Sequence, residues 1–520
     1  MADIVLVNPR FEASYWGLEH ALPVVGKRAN LPIACLPLLA ALTPPEHSVT
    51  LVDENVESID FDRLARADIV GLTGMSVQRN RMLEILRESR ERGAFCVVGG
   101  PWATVQEDAF RDHADVVFVG EAEETWPQFL REWGEGRHRS RYEQSERTDM
   151  TRVPVPRYEL LDMRHYLFGS VQFSRGCPFQ CEFCDIIVTF GRRPRMKTAV
   201  QILAELDALR VRRVPIAFVV DDNLIGNKQA IKGVLRDVAA WQRRHGFPLT
   251  LFSEASLDLA DDPELMQLMT EANFATVFIG IETPDEASLR ETRKFQNLRG
   301  ERTVVEKVHA IQAAGLDVWC GLIVGFDNDD RGIFQRQLNF IEQSRISHAM
   351  VGMLSAIPTT PLHARLAAAG RLDPGDEAAY GTNVIPLGMS REELRDGYIQ
   401  LLKSIHEPEP YFDRLERLFL DGDFHFQRPR TEYLRLHPIA RLRSGATDAI
   451  AALVIVVRLM ARVRDAGLRG VYARRLWRIC RRRLDPQVWF VCAVKCVIHY
   501  HHHTMSREMA PGSRRVVNTL

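Results

Sequence analysis

Short apolar runs alternate with segments of helical length through most of this 520-residue chain, and this alternation limits the possible folds more than any other feature. In the first 140 residues the runs are Ile4–Val7, Val49–Val52, Ile69–Leu72, Phe95–Val98 and Val116–Val119. Such repetition predicts an α/β fold with a doubly wound parallel sheet. Ligands bind these sheets at the carboxyl ends of the strands. A structural α/β domain that binds no ligand is the alternative.

A second series of six apolar runs follows, and it predicts a partial (β/α)6 barrel with its active site at the carboxyl ends of the strands. The runs are Val171–Ser174, Ile216–Val220, Thr250–Ser253, Thr276–Ile281, Asp317–Val324 and Ala349–Leu354. We therefore predict a Rossmann-like domain at 1–140, a polar linker at 141–165 and the barrel at 166–374. The remainder, 375–520, has a helical pattern and predicts a mainly α-helical domain.

Three of the nine cysteines, Cys177, Cys181 and Cys184, lie within eight residues just after the first barrel strand. Thiolates at a C-x3-C-x2-C spacing can bind one 4Fe–4S cluster and leave its fourth iron open. Zinc is the alternative, but it normally requires a fourth protein ligand nearby. The nearest histidine, His165, is twelve residues upstream of Cys177. The spacing therefore favours the iron–sulfur cluster.

This motif, its place after the first barrel strand and the aromatic Phe183 before the last cysteine resemble the radical S-adenosylmethionine (SAM) superfamily. The resemblance implies that SAM binds the open iron and is cleaved to a 5′-deoxyadenosyl radical. It also implies that Phe183 contacts the adenine of SAM, although a packing role fits the sequence equally well. Further SAM contacts are implied for Asp222, Glu254, Glu282, Gly321 and Gly325.

Two departures from the superfamily pattern bear on these assignments. The usual Gly-Gly-Glu is absent near Asp222, and Asn328 stands where an acidic residue is usual after Gly325. For each carboxylate the alternative is a solvated loop residue or a helix cap. No residue is assigned a catalytic role from the sequence.

A flavodoxin-like domain before such a barrel is similar to the cobalamin-binding radical SAM class. Glycines at the strand ends allow the backbone to approach a bulky ligand. The resemblance implies cobalamin contacts from Thr73, Gly74, Met75, Ser76, Gln78, Gly99, Gly100, Gly120 and Glu121. The Asp-x-His-x-x-Gly signature is absent after Asp53, so that loop supplies no histidine to cobalt. A dinucleotide site is disfavoured because no Gly-x-Gly-x-x-Gly follows the first strand.

Longer stretches narrow the resemblance to a subgroup with an added C-terminal helical domain. They are RGCPFQCEFCDIIVTFGRRPRMKT, VDDNLIGNK, SEASLDLADD, FIGIETPDEASLRETRKFQN and GLIVGFDND, with 9–16 and 26–32 nearer the N-terminus. This subgroup contains cobalamin-dependent radical SAM methyltransferases of hopanoid lipids and of bacteriochlorophyll rings, and the N-terminal stretches resemble hopanoid C-2 methylases most.

The resemblance implies that one SAM methylates cobalt to give methylcobalamin and a second supplies the radical. That radical removes hydrogen from an unactivated carbon of a polycyclic lipid, with the hopanoid C-2 position as the expected target. An electron donor such as ferredoxin or flavodoxin is also implied. The alternatives are a bacteriochlorophyll or other tetrapyrrole C-methyltransferase, a cobalamin-dependent radical oxidoreductase or cyclase, and a non-catalytic cobalamin sensor.

The C-terminal region is strongly basic, with 16 Lys and Arg against 4 Asp and Glu over residues 441–520. Thr447–Leu468 and Tyr472–Leu484 read as basic amphipathic helices that can lie on an anionic bilayer. A helical layer with solvated arginines is the alternative, and nucleic acid is disfavoured because no readout motif accompanies them.

No run of 18 uncharged apolar residues occurs, and the chain starts in a strand-like run without a basic leader. We therefore expect a cytoplasmic protein, at most peripheral at the inner face of the membrane. His501, His502 and His503 could bind metal, but three adjacent histidines do not share one helix face. We expect them at the surface, or at most at an edge near the substrate.

Overall fold

The computed structural model describes residues 1–373, 375, 380–422, 424–509 and 518. Pro374, where the predicted barrel ends, and several positions of the predicted C-terminal domain lie outside the described residues. The chain forms two compact units. The first contains Met1–Ala13, Arg28–Pro178 and Asp185–Asp222, and the second contains Ser14–Lys27, Phe179–Cys184 and Asn223–Leu520.

The N-terminal part of the chain confirms the alternation of strands and helices. Its elements are β1 (Asp3–Asn8), α1 (Leu22–Val25), α2 (Cys35–Leu42), β2 (Ser48–Asp53), α3 (Phe61–Ala65), β3 (Ile69–Thr73), α4 (Arg79–Glu91), β4 (Cys96–Gly99), α5 (Pro101–Val105), β5 (Val116–Val119), α6 (Thr125–Gly134) and β6 (Arg141–Glu143). Among these, only α1 belongs to the second unit. The strand β6 lies in the segment predicted as a linker.

The first unit is built on a six-stranded parallel sheet in the order β2-β1-β3-β4-β5-β6. Apolar side chains cover both faces: Val5 and Val70 pack on one side, Ile4 and Ile69 on the other. Strands buried on both faces read as continuous apolar runs, which explains the sequence pattern. The strand order reverses between β1 and β3, and ligands of such sheets bind at this point.

The first unit also contains the first barrel elements. They are β7 (Gly169–Val171), β8 (Ser174–Arg175), α7 (Ile186–Thr189), β9 (Arg195–Met196), α8 (Ala199–Val211) and β10 (Ile216–Val219). β7 pairs in parallel with β10, whereas β8 pairs antiparallel with β9. The predicted strand Val171–Ser174 is therefore divided, because the Asp221 carboxylate accepts hydrogen bonds from the amides of Phe173 and Ser174.

The second unit continues the β–α alternation and then becomes entirely helical. Its elements after α1 are α9 (Lys228–His245), β11 (Thr250–Ala255), α10 (Pro263–Glu271), β12 (Phe274–Glu282), α11 (Glu286–Glu291), α12 (Val304–Ala313), β13 (Asp317–Val324), α13 (Ile333–Gln343), β14 (His348–Met353), α14 (Pro361–Ala368), α15 (Arg391–Ile405), α16 (Pro408–Phe419), α17 (Arg428–Leu436), α18 (Pro438–Arg462), α19 (Ala466–Arg482) and α20 (Pro486–Glu508). β11 to β14 are parallel neighbours in chain order. The six parallel barrel strands and the helical C-terminal region confirm the predicted fold class.

The N-terminal segment Ser14–Lys27 packs against the last helix of the chain. The His501 ring bonds to the carbonyl of Ser14, and the His502 ring bonds to the carbonyl of Tyr15. Both histidines are buried, so the expectation that they lie at the surface is wrong. The reason is that α15, α18 and α19 all pack on α20 and cover several of its faces.

The arginines of α19 are largely neutralised within the second unit. Arg475 pairs with Glu409, Asp413 and Glu416 of α16, and Arg478 pairs with Glu416. Arg474 and Arg482 also have acidic partners, Glu409 and Asp421. For Tyr472–Leu484 this arrangement matches a packed helical layer more closely than a surface for anionic lipid.

Candidate active site

The backbone before the first cysteine is fixed by a carboxylate of the same unit. The amide of Gly176 donates to Asp222 at 2.7 Å, and the amide of Cys177 donates to the carbonyl of Gly191 at 3.2 Å. Gly176 has φ +94°, and a Cβ there would lie 2.9 Å from the Gly191 oxygen. Only glycine fits this approach, so any side chain at position 176 would change the conformation of the loop before Cys177.

Asp221 and Asp222 both follow β10, but they have different partners. Asp221 accepts from Ser174 and Phe173, whereas Asp222 accepts from Gly176. Burial raises the pKa of Asp221 to about 7 and that of Asp222 to about 6. Asp222 was predicted to contact SAM; its observed contact holds the cysteine loop, and a role toward SAM stays a prediction.

The segment with the second and third cysteines is fixed in the second unit. The amide of Cys184 donates to the Cys181 carbonyl, and the buried Glu182 between them pairs with Arg365 at 3.1 Å. Arg365 also pairs with Asp327 and Glu291. This ion-pair network holds the loop rigidly, because breaking one partner leaves a poorly solvated charge.

A buried ion pair lies beside the Cys181 thiol. Lys294 Nζ is 2.5 Å from Glu282 Oε1, and Gln296 Nε2 is 3.4 Å from Cys181 Sγ. Burial opposes the charge of Lys294, but Glu282 and the Cys181 thiolate outweigh it and raise its pKa. Cys181 therefore lies beside a fixed cation and accepts a hydrogen bond from an amide donor.

The backbone at Glu282 is strained. This residue has φ +67°, and the register between β12 and β13 shifts at this position. The Asn297 amide donates to the carbonyls of Gly280 and Ile281 and so supports the irregular strand end. Non-glycine residues rarely adopt positive φ, and such strain concentrates at ligand sites. The bulge turns the Glu282 carboxylate toward Lys294.

Phe183, which was predicted to contact adenine, packs near Phe326 with ring centroids 6.3 Å apart. Lys294 Nζ lies 5.8 Å from the centroid of the Phe183 ring. The ring is only partly buried and therefore keeps an accessible face. Its role toward SAM stays a prediction.

The glycine strand β13 ends in a turn that a buried acid holds. Asp329 accepts from the amides of Gly325 and Phe326, at 2.8 and 3.1 Å, and burial raises its pKa to about 7. Asn328, which stands where the superfamily usually has an acidic residue, is exposed and donates a hydrogen bond to Glu291. The structural acid of this turn is thus one residue further along. Roles of Gly321, Gly325 and Glu254 toward SAM stay predictions.

The loops after β3 and β4 in the first unit, which we call the glycine cradle, carry glycines where a Cβ would collide with neighbouring side chains. Gly100 has φ +97°, and a Cβ there would lie 2.2 Å from the Thr73 hydroxyl. A Cβ on Gly74 would lie 2.6 Å from the Met82 sulfur, and one on Gly99 would lie 3.2 Å from Phe118. Met75 is 50% exposed beside this cradle. An apolar, glycine-lined edge at the switch point fits a large planar ligand such as cobalamin.

Two polar residues predicted to contact cobalamin are committed to internal partners. Gln78 is buried, donates to Asn8 and the Pro9 carbonyl, and accepts from the Met75 amide. Glu121 pairs with Arg175 and Arg195. These residues therefore shape the loops at Met75–Ser76 and Gly120, and any direct contact with cobalamin stays a prediction.

The donor set fits an iron–sulfur cluster. All three cysteines are free thiols. Within the described ranges, no group of three His, Cys, Asp or Glu side chains converges on one point to hold a single metal ion. Each thiolate of a cubane cluster binds a different iron, so three thiols bind three irons and leave the fourth open.

Comparisons with known proteins agree with the fold. The Radical SAM superfamily profile matches residues 171–340, the B12 binding domain matches 31–130, and a domain of unknown function, DUF4070, matches 360–514. An uncharacterised methyltransferase of Synechocystis is 41% identical over 80% of this chain and 78% of its own length.

The hopanoid C-2 methylase of Rhodopseudomonas palustris is 32% identical over 99% of this chain and 95% of its own length. Among solved structures, the radical SAM methyltransferase TsrM from Kitasatospora setae, with cobalamin and a 4Fe–4S cluster bound, has the same fold. Its TM-score is 0.60 at 17% identity, over 76% of this chain and 82% of that one.

The chain belongs to the cobalamin-dependent radical SAM methyltransferases. It is an enzyme that transfers methyl groups, and its cofactors are a 4Fe–4S cluster, SAM and cobalamin. Sequence reasoning missed the residues that surround Cys181, namely Lys294 and Gln296. Both lie in the quoted stretch RETRKFQN, where two positively charged residues before an aromatic were the available signal.

Proposed function

We propose that this enzyme methylates an unactivated carbon of a polycyclic lipid, with C-2 of hopanoids as the target position. The observation that carries the proposal is the 32% identity to a hopanoid C-2 methylase along nearly the whole of both chains, including the C-terminal helical region. Shared length matters because a substrate change within a family usually accompanies changed loops or added segments.

The residues of the two units have separate tasks in this proposal. When bound, the cluster, SAM and cobalamin supply the radical that removes hydrogen from carbon and the methyl group that replaces it. Cys177, Cys181 and Cys184 hold the cluster, and Lys294 and Gln296 lie beside Cys181. The glycine cradle of the first unit holds cobalamin. A reductant such as ferredoxin or flavodoxin supplies electrons.

Lipid analysis tests the proposal directly. Cells that produce hopanoids and express this chain should contain hopanoids heavier by one methylene unit, whereas cells expressing Cys181→Ser should not. Purified enzyme should form S-adenosylhomocysteine and 5′-deoxyadenosine with each methylation. A tetrapyrrole that gains mass instead supports the bacteriochlorophyll alternative, and deoxyadenosine without homocysteine product supports an oxidoreductase or cyclase.

A peripheral contact with an anionic membrane is part of this proposal, and its support is the exposed face of α18. Residues at helical spacing along one stripe of α18 are 41–84% exposed: Ile439, Leu442, Ile450, Leu453, Val454 and Val457. Only 17% of its most apolar window is buried, and the helix is long and apolar enough to cross a membrane by those two criteria. The helix contains charged residues, among them Arg443 and Arg458, so the observation that no run of 18 uncharged apolar residues occurs also holds for α18.

An apolar stripe that carries Arg443 and is followed by Arg462 matches an interfacial helix on anionic lipid. Vesicle flotation tests the contact. Full-length enzyme should float with phosphatidylglycerol vesicles, and Leu453→Glu should reduce the floating fraction. Val200→Glu, which alters an equally exposed valine of α8 in the first unit, is the matched control. Equal flotation of the two variants would refute a contact through α18.

A further inference from the structure

The inner faces of β11 and β12 keep contact with solvent. Along β11, Phe252 and Glu254 are partly exposed while their neighbours Leu251, Ser253 and Ala255 are buried. Along β12, Thr276, Phe278 and Gly280 repeat this alternation. In a closed barrel the interior is filled by side chains. Alternate residues that stay partly exposed therefore indicate open space inside the strands of the second unit.

Four aromatic rings line this space. Phe278 and Trp319 are register neighbours on β12 and β13. Phe252 lies 6.2 Å from Trp319, and Trp16 lies 5.3 Å from Phe278, measured between ring centroids. Trp16 comes from the N-terminal segment of this unit and is 43% exposed. Flat aromatic walls favour flat apolar ligands, because both surfaces lose water on contact.

Gly321 allows the Phe278 ring to lie along the wall. A Cβ at this position would lie 3.2 Å from Phe278 Cζ and would push the ring into the open space. The glycine was assigned to SAM by the family resemblance. In this structure it also determines how wide the space beside Phe278 is.

One end of the lining is polar but uncharged. His348 lies 4.6 Å from Trp319 and 4.7 Å from His502, which stacks with Tyr15 at 5.3 Å. The Tyr15 hydroxyl and His348 Nδ1 are buried without a hydrogen-bond partner among the described residues. Burial lowers the pKa of His348 to about 3 and that of His502 well below its usual value. Buried polar atoms without partners are costly and often await water or a ligand.

The nearest buried cation already has a matching anion. Lys495 Nζ is 2.5 Å from Asp317 and also bonds to the Ser347 hydroxyl. Trp319 donates from its indole nitrogen to the same Asp317 carboxylate at 2.9 Å. This pair therefore contributes no net charge to the lining, and it provides no spare cation for an acidic ligand.

We propose that this interior is the substrate site and that it binds the fused rings of an uncharged polycyclic hydrocarbon between Trp16, Phe252, Phe278 and Trp319. A neutral polar group or a water at the ligand's end meets Tyr15 and His348. A polycycle with a free carboxylate is rejected, because its charge would lose water without gaining a cation. This inference rests on the proposed function and specifies the substrate class of the same site.

Equilibrium binding to the cofactor-loaded, full-length enzyme tests the site with two probes in the same detergent. One is an uncharged pentacyclic triterpene hydrocarbon, and the other is a pentacyclic triterpene carboxylic acid. We expect the hydrocarbon to bind about tenfold or more tightly at neutral pH. Trp16→Ala and Phe278→Ala should each weaken its binding about tenfold. Trp477→Ala, which removes an exposed indole from α19, should leave hydrocarbon binding and substrate-free SAM cleavage unchanged.

The outcomes separate this inference from the proposed function. If the acid binds as tightly as the hydrocarbon, or if Trp16→Ala and Phe278→Ala bind like the wild type, the inference is overturned even when hopanoids are methylated. If the hydrocarbon binds through these rings but no lipid gains mass, the site stands and the proposed reaction is wrong. Loss of SAM cleavage in Phe278→Ala together with normal hydrocarbon binding would also overturn the inference.

Discussion

The sheet of the first unit and the strands of the second differ in what their two faces do. All of β3 is buried, whereas β11 and β12 alternate buried and partly exposed residues. A sheet packed on both faces can bind a ligand only at the ends of its strands. A sheet with one uncovered face can bind along the strands. We therefore expect cobalamin at a strand edge of the first unit and, in the proposed site, the substrate along the strands of the second unit.

The largest effect is expected from a substitution in the cysteine loop, because SAM cleavage requires the cluster. Cys181→Ser should abolish the cluster and with it all SAM cleavage, because the remaining two thiolates cannot hold a cubane with one open iron. Iron and sulfide content and the visible absorbance of anaerobically purified enzyme measure this. Cys480→Ser, at a partly buried thiol on α19, should keep full iron content. Full iron content in Cys181→Ser would refute the assignment.

Two neighbouring residues of β12, one on each face, test whether one face of the strand is covered and the other open. Ile279 is fully buried on the covered face, so Ile279→Ala should lower the free energy of unfolding by about 2–5 kcal/mol. Phe278→Ala, on the open face, should cost clearly less because the ring is already partly in water. Denaturant unfolding of the apoprotein measures both. A larger cost for Phe278→Ala would show that the interior is packed, not open.

A glycine substitution tests whether the strand edge of the first unit binds cobalamin. Gly100→Ala places a Cβ 2.2 Å from the Thr73 hydroxyl at φ +97°, and should cost about 1–3 kcal/mol and weaken cobalamin binding. Binding is followed by the cobalamin absorbance retained after gel filtration. The control is Gly134→Ala near the end of α6, where a Cβ meets nothing within 4 Å. Unchanged cobalamin retention in Gly100→Ala would argue against the cradle.

The smallest expected effect is on the pH dependence of stability, and it comes from His348 at the polar end of the proposed substrate site. The pKa of His348 is about 3, far below its ordinary value of 6.5. Below pH 6.5 this histidine binds a proton in the unfolded chain but not in the folded chain. The free energy of unfolding therefore falls as pH decreases below 6.5, and this loss is absent well above pH 6.5. The contribution approaches about 1 kcal/mol over the first pH unit.

His348→Phe should make the free energy of unfolding less dependent on pH in this range. Part of the dependence should remain, because the buried His406 and His502 still contribute to it. Denaturant unfolding at several pH values between 5 and 7.5 measures it. His437→Gln, at an exposed position, should leave the slope unchanged. An identical slope in His348→Phe would mean that His348 is protonated within the folded protein.

Local patterns carried most of what the sequence could predict. The apolar runs identified the strands, and the spacing of Cys177, Cys181 and Cys184 identified the cluster, since both depend on residues close in sequence. Lys294, Gln296 and Trp16 were missed because their relevance comes from partners far along the chain. The three adjacent histidines were placed at the surface by a one-face argument, which fails for a helix covered on several sides.

Ser14 and His501 touch although 487 residues separate them. During synthesis at about 5–20 residues per second, the N-terminal segment with Tyr15 and Trp16 has to wait roughly 25–100 seconds for α20 to emerge. The proposed substrate site is thus among the last parts of the protein to be completed. A barrel fragment cut at residue 166 would lack one of its aromatic walls, however well its strands formed.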